Sequence, residues 1–119
     1  MMDLETLRNY CLSKPGTSED LPFDNDTLVF KVMGKMFALT GLEQEGLQVN
    51  LKCDPERSIE LRELYAEIRP GYHMNKKHWN TVDFSGSLKV STLKELIDHS
   101  YECVVKGLSK KEKYTLGNL

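Results

Sequence analysis

Residues 28–42 read LVFKVMGKMFALTGL. Leu28, Phe30 and Val32 alternate with Val29, Lys31 and Met33, and a period of two belongs to a strand. Gly34-Lys35 has the Gly-X form of a two-residue hairpin turn, so residues 36–42 are expected to return as an antiparallel partner. Residues 43–46, Glu-Gln-Glu-Gly, turn the chain again. Leu47, Val49 and Leu51 then alternate with Gln48, Asn50 and Lys52. Three consecutive strands joined by tight turns make an antiparallel meander with one apolar face, and that face needs helices to cover it.

The flanks supply them. Asp3 is placed to cap a first helix in which Leu4, Leu7 and Cys11 share a face, and Pro15-Gly16 ends it. Residues 17–26, TSEDLPFDND, read as an acidic loop anchored by Leu21 and Phe23. After the meander, Asp54-Pro55-Glu56 opens a second helix: a cap, a proline at the first position and an acid at the positive dipole end. Ile59, Leu61, Leu64 and Tyr65 are its apolar positions, and Pro70-Gly71 forbids its continuation. Two short strands follow, near 71–74 and 78–84, with Asn75-Lys76-Lys77 between them. Ser91 is expected to cap a last helix with a buried stripe of Leu93, Leu96, Ile97, Ser100, Val104 and Leu108. The expectation is a two-layer α+β fold in the order α-β-β-β-α-β-β-α, an antiparallel sheet with helices on one face. Residues 108–119 read as a frayed basic tail.

At 119 residues the chain is one domain, 1–119, large enough to bury roughly 65% of its unfolded surface without metal or disulfide staples. Three cysteines at wide, irregular spacings and no CxxC pair signal neither a zinc site nor a disulfide framework. They read as core thiols in a reducing compartment, and cytoplasm is the default expectation, with no membrane span. A pI near 5.9 argues against avid, charge-driven nucleic-acid binding but leaves room for a local basic patch. Such a patch exists in residues 69–84, RPGYHMNKKHWNTVDF. They hold the only tryptophan, two of the three histidines and a formal charge of +2, in a chain of net charge −2.

Several strings carry a resemblance. They are Tyr10-Cys11 with Pro15-Gly16, then LVFKVMGKMFAL, NLKCDPE, PGYHMNKKHWNTV and LIDHSY. Together they resemble the MmcQ/YjbR family of small bacterial proteins from the first helix to the last. PGYHMNKKHWNTV is the most specific, because no general structural rule yields it. Val90 departs from the pattern, standing where a proline is expected before the last helix. The resemblance implies an α+β fold like that of secretion chaperones, also compared with frataxin-like proteins. It further implies a DNA-binding label that comes from a proposed double-wing arrangement of the hairpins. It brings no enzymatic activity and no cofactor.

The residues themselves leave alternatives open. Lys76 and Lys77 at a hairpin tip suit phosphate, and Tyr72, His73, His78 and Trp79 beside them suit stacking or hydrogen bonding. Lys31 and Lys52 on polar strand faces and Lys35 at the first hairpin tip would extend the patch. In the plainer reading, Tyr72 and Trp79 pack a core edge and the Lys-Lys turn is a solvated loop protecting a sheet edge. Alternation puts Trp79 with Thr81 and Asp83, opposite Asn80, Val82 and Phe84, so Trp79 is expected to face away from the helices, towards a surface or partner. His73, His78 and Cys53 would converge too few ligands for a metal. Glu19, Asp20, Asp24 and Asp26 resemble a frataxin-like acidic ridge but lack EF-hand spacing. Cys53 beside Lys52 has only His73 and His78 as local bases and is expected on the core side as a buried, inert thiol, Ser100 between His99 and Tyr101 is no dyad, and no glycine-rich phosphate cradle exists. The expectation is therefore a non-enzymatic binding protein without cofactor, monomer or homodimer, with DNA as the first partner, a protein as the second and a metal ion at the acidic loop as the third.

Overall fold

In the computed structural model, residues 1–71 and 74–119 are described. They run α1 (Leu4–Leu12), β1 (Thr17–Asp20), β2 (Thr27–Val32), β3 (Lys35–Gly41), β4 (Gln48–Lys52), α2 (Pro55–Leu64), β5 (Ile68–Pro70), β6 (Trp79–Asp83), α3 (Val90–Lys106) and α4 (Lys110–Gly117). The strands form one antiparallel sheet in the order β1-β2-β3-β4-β6-β5. This is the expected α+β architecture with two elements added, β1 and α4.

The apolar stripes meet as their spacing predicts. Leu7 and Cys11 of α1 and Leu93, Leu96, Ile97 and Val104 of α3 close over Phe30, Val32, Val49, Leu51 and Val82 of the sheet. Phe30, Phe37 and Phe84 are fully buried there. Each such side chain contributes roughly 1.5–3 kcal/mol relative to exposure. Asp3 accepts from the Thr6 N–H at 2.8 Å, and the Asp54 carboxylate accepts from the Glu56 N–H at 2.9 Å, so both expected caps form.

The central hairpin turns one residue earlier than its sequence suggests. Val32 pairs with Lys35, so the two turn residues are Met33 and Gly34, both at positive φ (50° and 80°), rather than Gly34 and Lys35. This left-handed pair matches the twist of the flanking strands. A bulge then follows: Phe30 faces Ala38 while Lys31 faces Met36, leaving Phe37 as the extra residue. Both Phe37 and Ala38 thereby reach the helix-side core.

Elsewhere the expectations need correction. Residues 17–20 are an edge strand, not a loop. No apolar alternation announces it: the backbone ladder with β2 holds it, and Glu19 pairs with Arg8 of α1 and Asp20 with Lys31 of β2 at 3.2 Å. Leu21 and Phe23 anchor nothing, being 44% and 65% exposed. Strand β5 covers Ile68–Pro70, ahead of the strand expected near 71–74, of which residues 72 and 73 lie outside the described residues. The start of α3 has Lys89 at the cap position without a side-chain bond, and Ser91 lies inside the helix. The exposed positions of α2 include Ile59 and Leu64, while Ser58 is buried. Finally, the expected frayed tail is helix α4. Ser109 accepts from the Glu112 N–H at 3.1 Å and Glu112 Oε1 accepts from the Ser109 N–H at 3.0 Å, a complete capping box. A Cβ on Gly16 would lie 2.5 Å from Leu116 Cδ1, so glycine there lets α4 dock.

Candidate nucleic-acid interface

Strand directions decide which loops share an end of the sheet. The β2–β3 turn closes one end. The register places Lys52 opposite Trp79, one step beyond the Leu51–Ala38 pair, at that same end. Pro70 pairs with Asn80, so the segment between β5 and β6 lies there too. Lys35, Lys52, Lys76 and Lys77 thus come from three separate stretches of sequence to one end of the molecule. The opposite end holds the β1–β2 connection, with Asp24 and Asp26, and the β3–β4 turn, with Glu43 and Glu45.

Two polar side chains fix the basic end. Ser100 is fully buried; its hydroxyl donates to the Phe37 carbonyl at 2.5 Å and accepts from the Lys52 N–H at 2.8 Å. It bridges Phe37 and Lys52 just beyond Ala38–Leu51, where the β3–β4 pairing stops. Arg62 of α2 does the same for the second tip. Its Nε donates to Asn80 Oδ1 at 2.8 Å, and its Nη2 to the carbonyls of Lys76 and Trp79. The buried Asn80 amide donates in turn to Ser58 Oγ at 3.3 Å. Asn75 Oδ1 accepts from the Lys77 N–H at 3.0 Å, tightening the turn. Neither Arg62 nor Asn80 stands out in the sequence. The available signal was polar: Ser58 and Arg62 lie four apart and share the inward face of α2.

The candidate residues separate into groups. Lys35, Lys76 and Lys77 are exposed and Lys52 is half-buried. Lys31 lies on the helix-free face of β2 but is engaged by Asp20. His78 is half-buried, and its carbonyl accepts from the Cys53 N–H at 2.8 Å. Tyr72 and His73 lie outside the described residues. Trp79 faces away from the helices, as alternation requires, but it is only 9% exposed. With Val29 and Leu39 it forms a second apolar cluster, against which Met36 and Met74 pack. The expectation that it faces a surface or partner is therefore corrected: the Met36 and Met74 side chains pack over it on the helix-free face.

The other candidate chemistries find their groups already engaged. Glu19 is held by Arg8, which lowers its pKa, and Asp24 accepts from the Asp26 and Thr27 N–H groups, which lowers its own. Among the described residues no group of three or more His, Cys, Asp or Glu side chains is arranged to hold a metal ion. Burial pushes the Cys53 thiol up despite the neighbouring Ser58 and Arg57, and raises Cys11 to about 12. His99 Nε2 accepts from the Asp54 N–H at 3.1 Å, and burial followed by the Arg57 charge lowers its pKa, keeping it a neutral acceptor. No helix among the described residues is long and apolar enough to cross a membrane.

Comparison with known proteins agrees with this architecture. A family model described as YjbR matches residues 12–103. The uncharacterised protein YbdF of Escherichia coli O157:H7 is 39% identical over 110 residues, covering 92% of this chain and 89% of the relative. The uncharacterised protein YjbR of Escherichia coli K12 is 34% identical over 118 residues, 99% of this chain and 100% of the relative. The crystal structure of Deinococcus radiodurans protein DR2400, described with a DUF419 domain, superposes with a TM-score of 0.90 at 46% identity, covering 98% of this chain and 89% of that one.

Proposed function

The chain belongs to the YjbR family, and from that premise we propose that it binds DNA through the basic end of its sheet, without chemistry of its own. The observation that supports this reading is the register. It brings the exposed lysines of both hairpin tips, Lys35 with Lys76 and Lys77, to one end of the sheet beside Lys52. The acids of the β1–β2 and β3–β4 connections stay at the other. A chain of net charge −2 then presents a cationic surface to a polyanion. Cations on turns contact phosphates and position the protein without reading bases. Because Trp79 is covered, it offers no stacking platform, so the reading favours duplex over single-stranded DNA.

Fluorescence-anisotropy titration of labelled duplex and single-stranded DNA tests it. Three or four lysine contacts give a log–log salt slope of roughly −3. Binding should weaken along that slope and fall further in Lys35→Ala/Lys77→Ala. Absence of binding at low salt would sink the reading.

A protein partner is the second reading, and a specific observation moves it off the sheet face. Ile59 and Leu64 stand 58% and 73% exposed on α2, whereas Trp79 is covered. Sedimentation of wild type against Ile59→Glu/Leu64→Glu tests the simplest form, a homodimer.

A further inference from the structure

We infer that α4, resting on the DNA-binding reading above, is the principal phosphate-contacting element of this protein. Residues 106–113 carry Lys106, Lys110, Lys111 and Lys113 against Glu112 alone, a net of +3 in a chain of −2. This is the densest positive charge in the sequence, and it is ordered rather than frayed.

Three observations carry the inference. First, α4 is held at the basic end: Leu116 lies against Gly16 beside the Met33 side chain of the β2–β3 turn, and Glu112 feels the charge of Lys35. The helix therefore continues the surface of the first hairpin tip. Second, the one acid is engaged by the cap: the Glu112 carboxylate accepts from the Ser109 N–H at 3.0 Å. Third, Lys110, Lys111 and Tyr114 lie on the side away from Glu112 and Leu116, Lys113 flanks them, and Tyr114 is 75% exposed. An exposed tyrosine among lysines offers a hydroxyl to phosphate or sugar as well as charge. Eight residues of helix span about 12 Å, the length of duplex axis occupied by three to four nucleotides of one strand at about 3.4 Å each. The charge and its spacing fit the phosphate backbone of duplex DNA; no apolar face is left to enter a lipid surface, because Leu116 is turned inward.

The experiment is an anisotropy titration of a random-sequence duplex with wild type, Lys110→Ala/Lys111→Ala/Lys113→Ala and Lys35→Ala/Lys77→Ala, across a salt series, with folding checked by circular dichroism. Sedimentation with phosphatidylserine-containing vesicles runs in parallel. With the α4 contacts added to those of the hairpin tips, the wild-type slope becomes roughly −6; the α4 triple variant is expected to lose roughly a hundredfold in affinity near 0.1 M salt and to return to a slope of roughly −3. If the triple variant binds like wild type while Lys35→Ala/Lys77→Ala weakens, α4 is not the contact and the broader DNA reading stands. If wild type binds no DNA, both fail. Vesicle binding lost in the triple variant, without DNA binding, would assign α4 to an anionic membrane surface and overturn the inference.

Discussion

Replacing Ser100 by alanine removes one oxygen from the centre of the molecule and strands two backbone groups. The hydroxyl stands between the Phe37 carbonyl and the Lys52 N–H, at 2.5 Å and 2.8 Å, where the bulged strand β3 turns Phe37 into the core. Ser100 is 0% exposed, so water does not replace it. Each buried group left unpaired costs about 1–3 kcal/mol, which puts the loss near 2–4 kcal/mol after partial relaxation. That is a large share of the roughly 5–15 kcal/mol that stabilises a domain of this size. Urea denaturation followed by the fluorescence of the single, buried Trp79 reads it directly. With a slope of about 1–3 kcal/mol/M, the midpoint should fall by about 1–2 M. A loss under about 1 kcal/mol would refute the reasoning, because it would mean that Phe37 and Lys52 close the gap themselves and the serine only fills space.

Arg62→Met keeps much of the aliphatic stem but leaves Asn80 Oδ1 without its donor and takes one donor from the Lys76 and Trp79 carbonyls, the second of which keeps the Gly71 N–H; a loss of about 1–3 kcal/mol and faster amide exchange at residues 75–79 are expected. His99 is held neutral, with a folded pKa below its ordinary 6.5. Its stabilising contribution is therefore complete above about pH 6.5 and lost as pH falls through the folded value. His99→Gln should flatten stability across that window, as pH-dependent thermal melts would show. Burial raises all three thiols, but Cys103 is half-buried where Cys11 is fully buried. A thiol-reactive probe at pH 8 should modify Cys103 first and leave Cys11 unmodified until unfolding.

What the sequence made legible follows from which forces act locally. The central hairpin, the α1 face, the entry of α2 and the stripe of α3 from Leu93 to Val104 all announce themselves by period or by cap chemistry. The edge strand β1 does not, because its polar side chains carry no apolar alternation and its backbone ladder depends on β2, with ion pairs to Arg8 and Lys31. Helix α4 carried its capping box openly in Ser109 and Glu112, yet with Leu116 as its inward anchor it has no apolar period to find. At the site, the lysines were legible because turns expose cations. The burial of Trp79 was not, since it depends on Met36 and Met74 arriving from different segments over the same face. Strand alternation gives the direction of a side chain but not what covers it.

The central claim is a place as much as a partner: DNA meets the end of the sheet that carries both hairpin tips. Chemical-shift perturbation of backbone amides on titrating a short duplex measures that place residue by residue. The account predicts shifts confined to residues 33–36, 52–53, 75–79 and 106–114, with residues 24–26 and 43–46 at the acidic end unmoved. Shifts centred on the acidic end, or none at low salt, would contradict it.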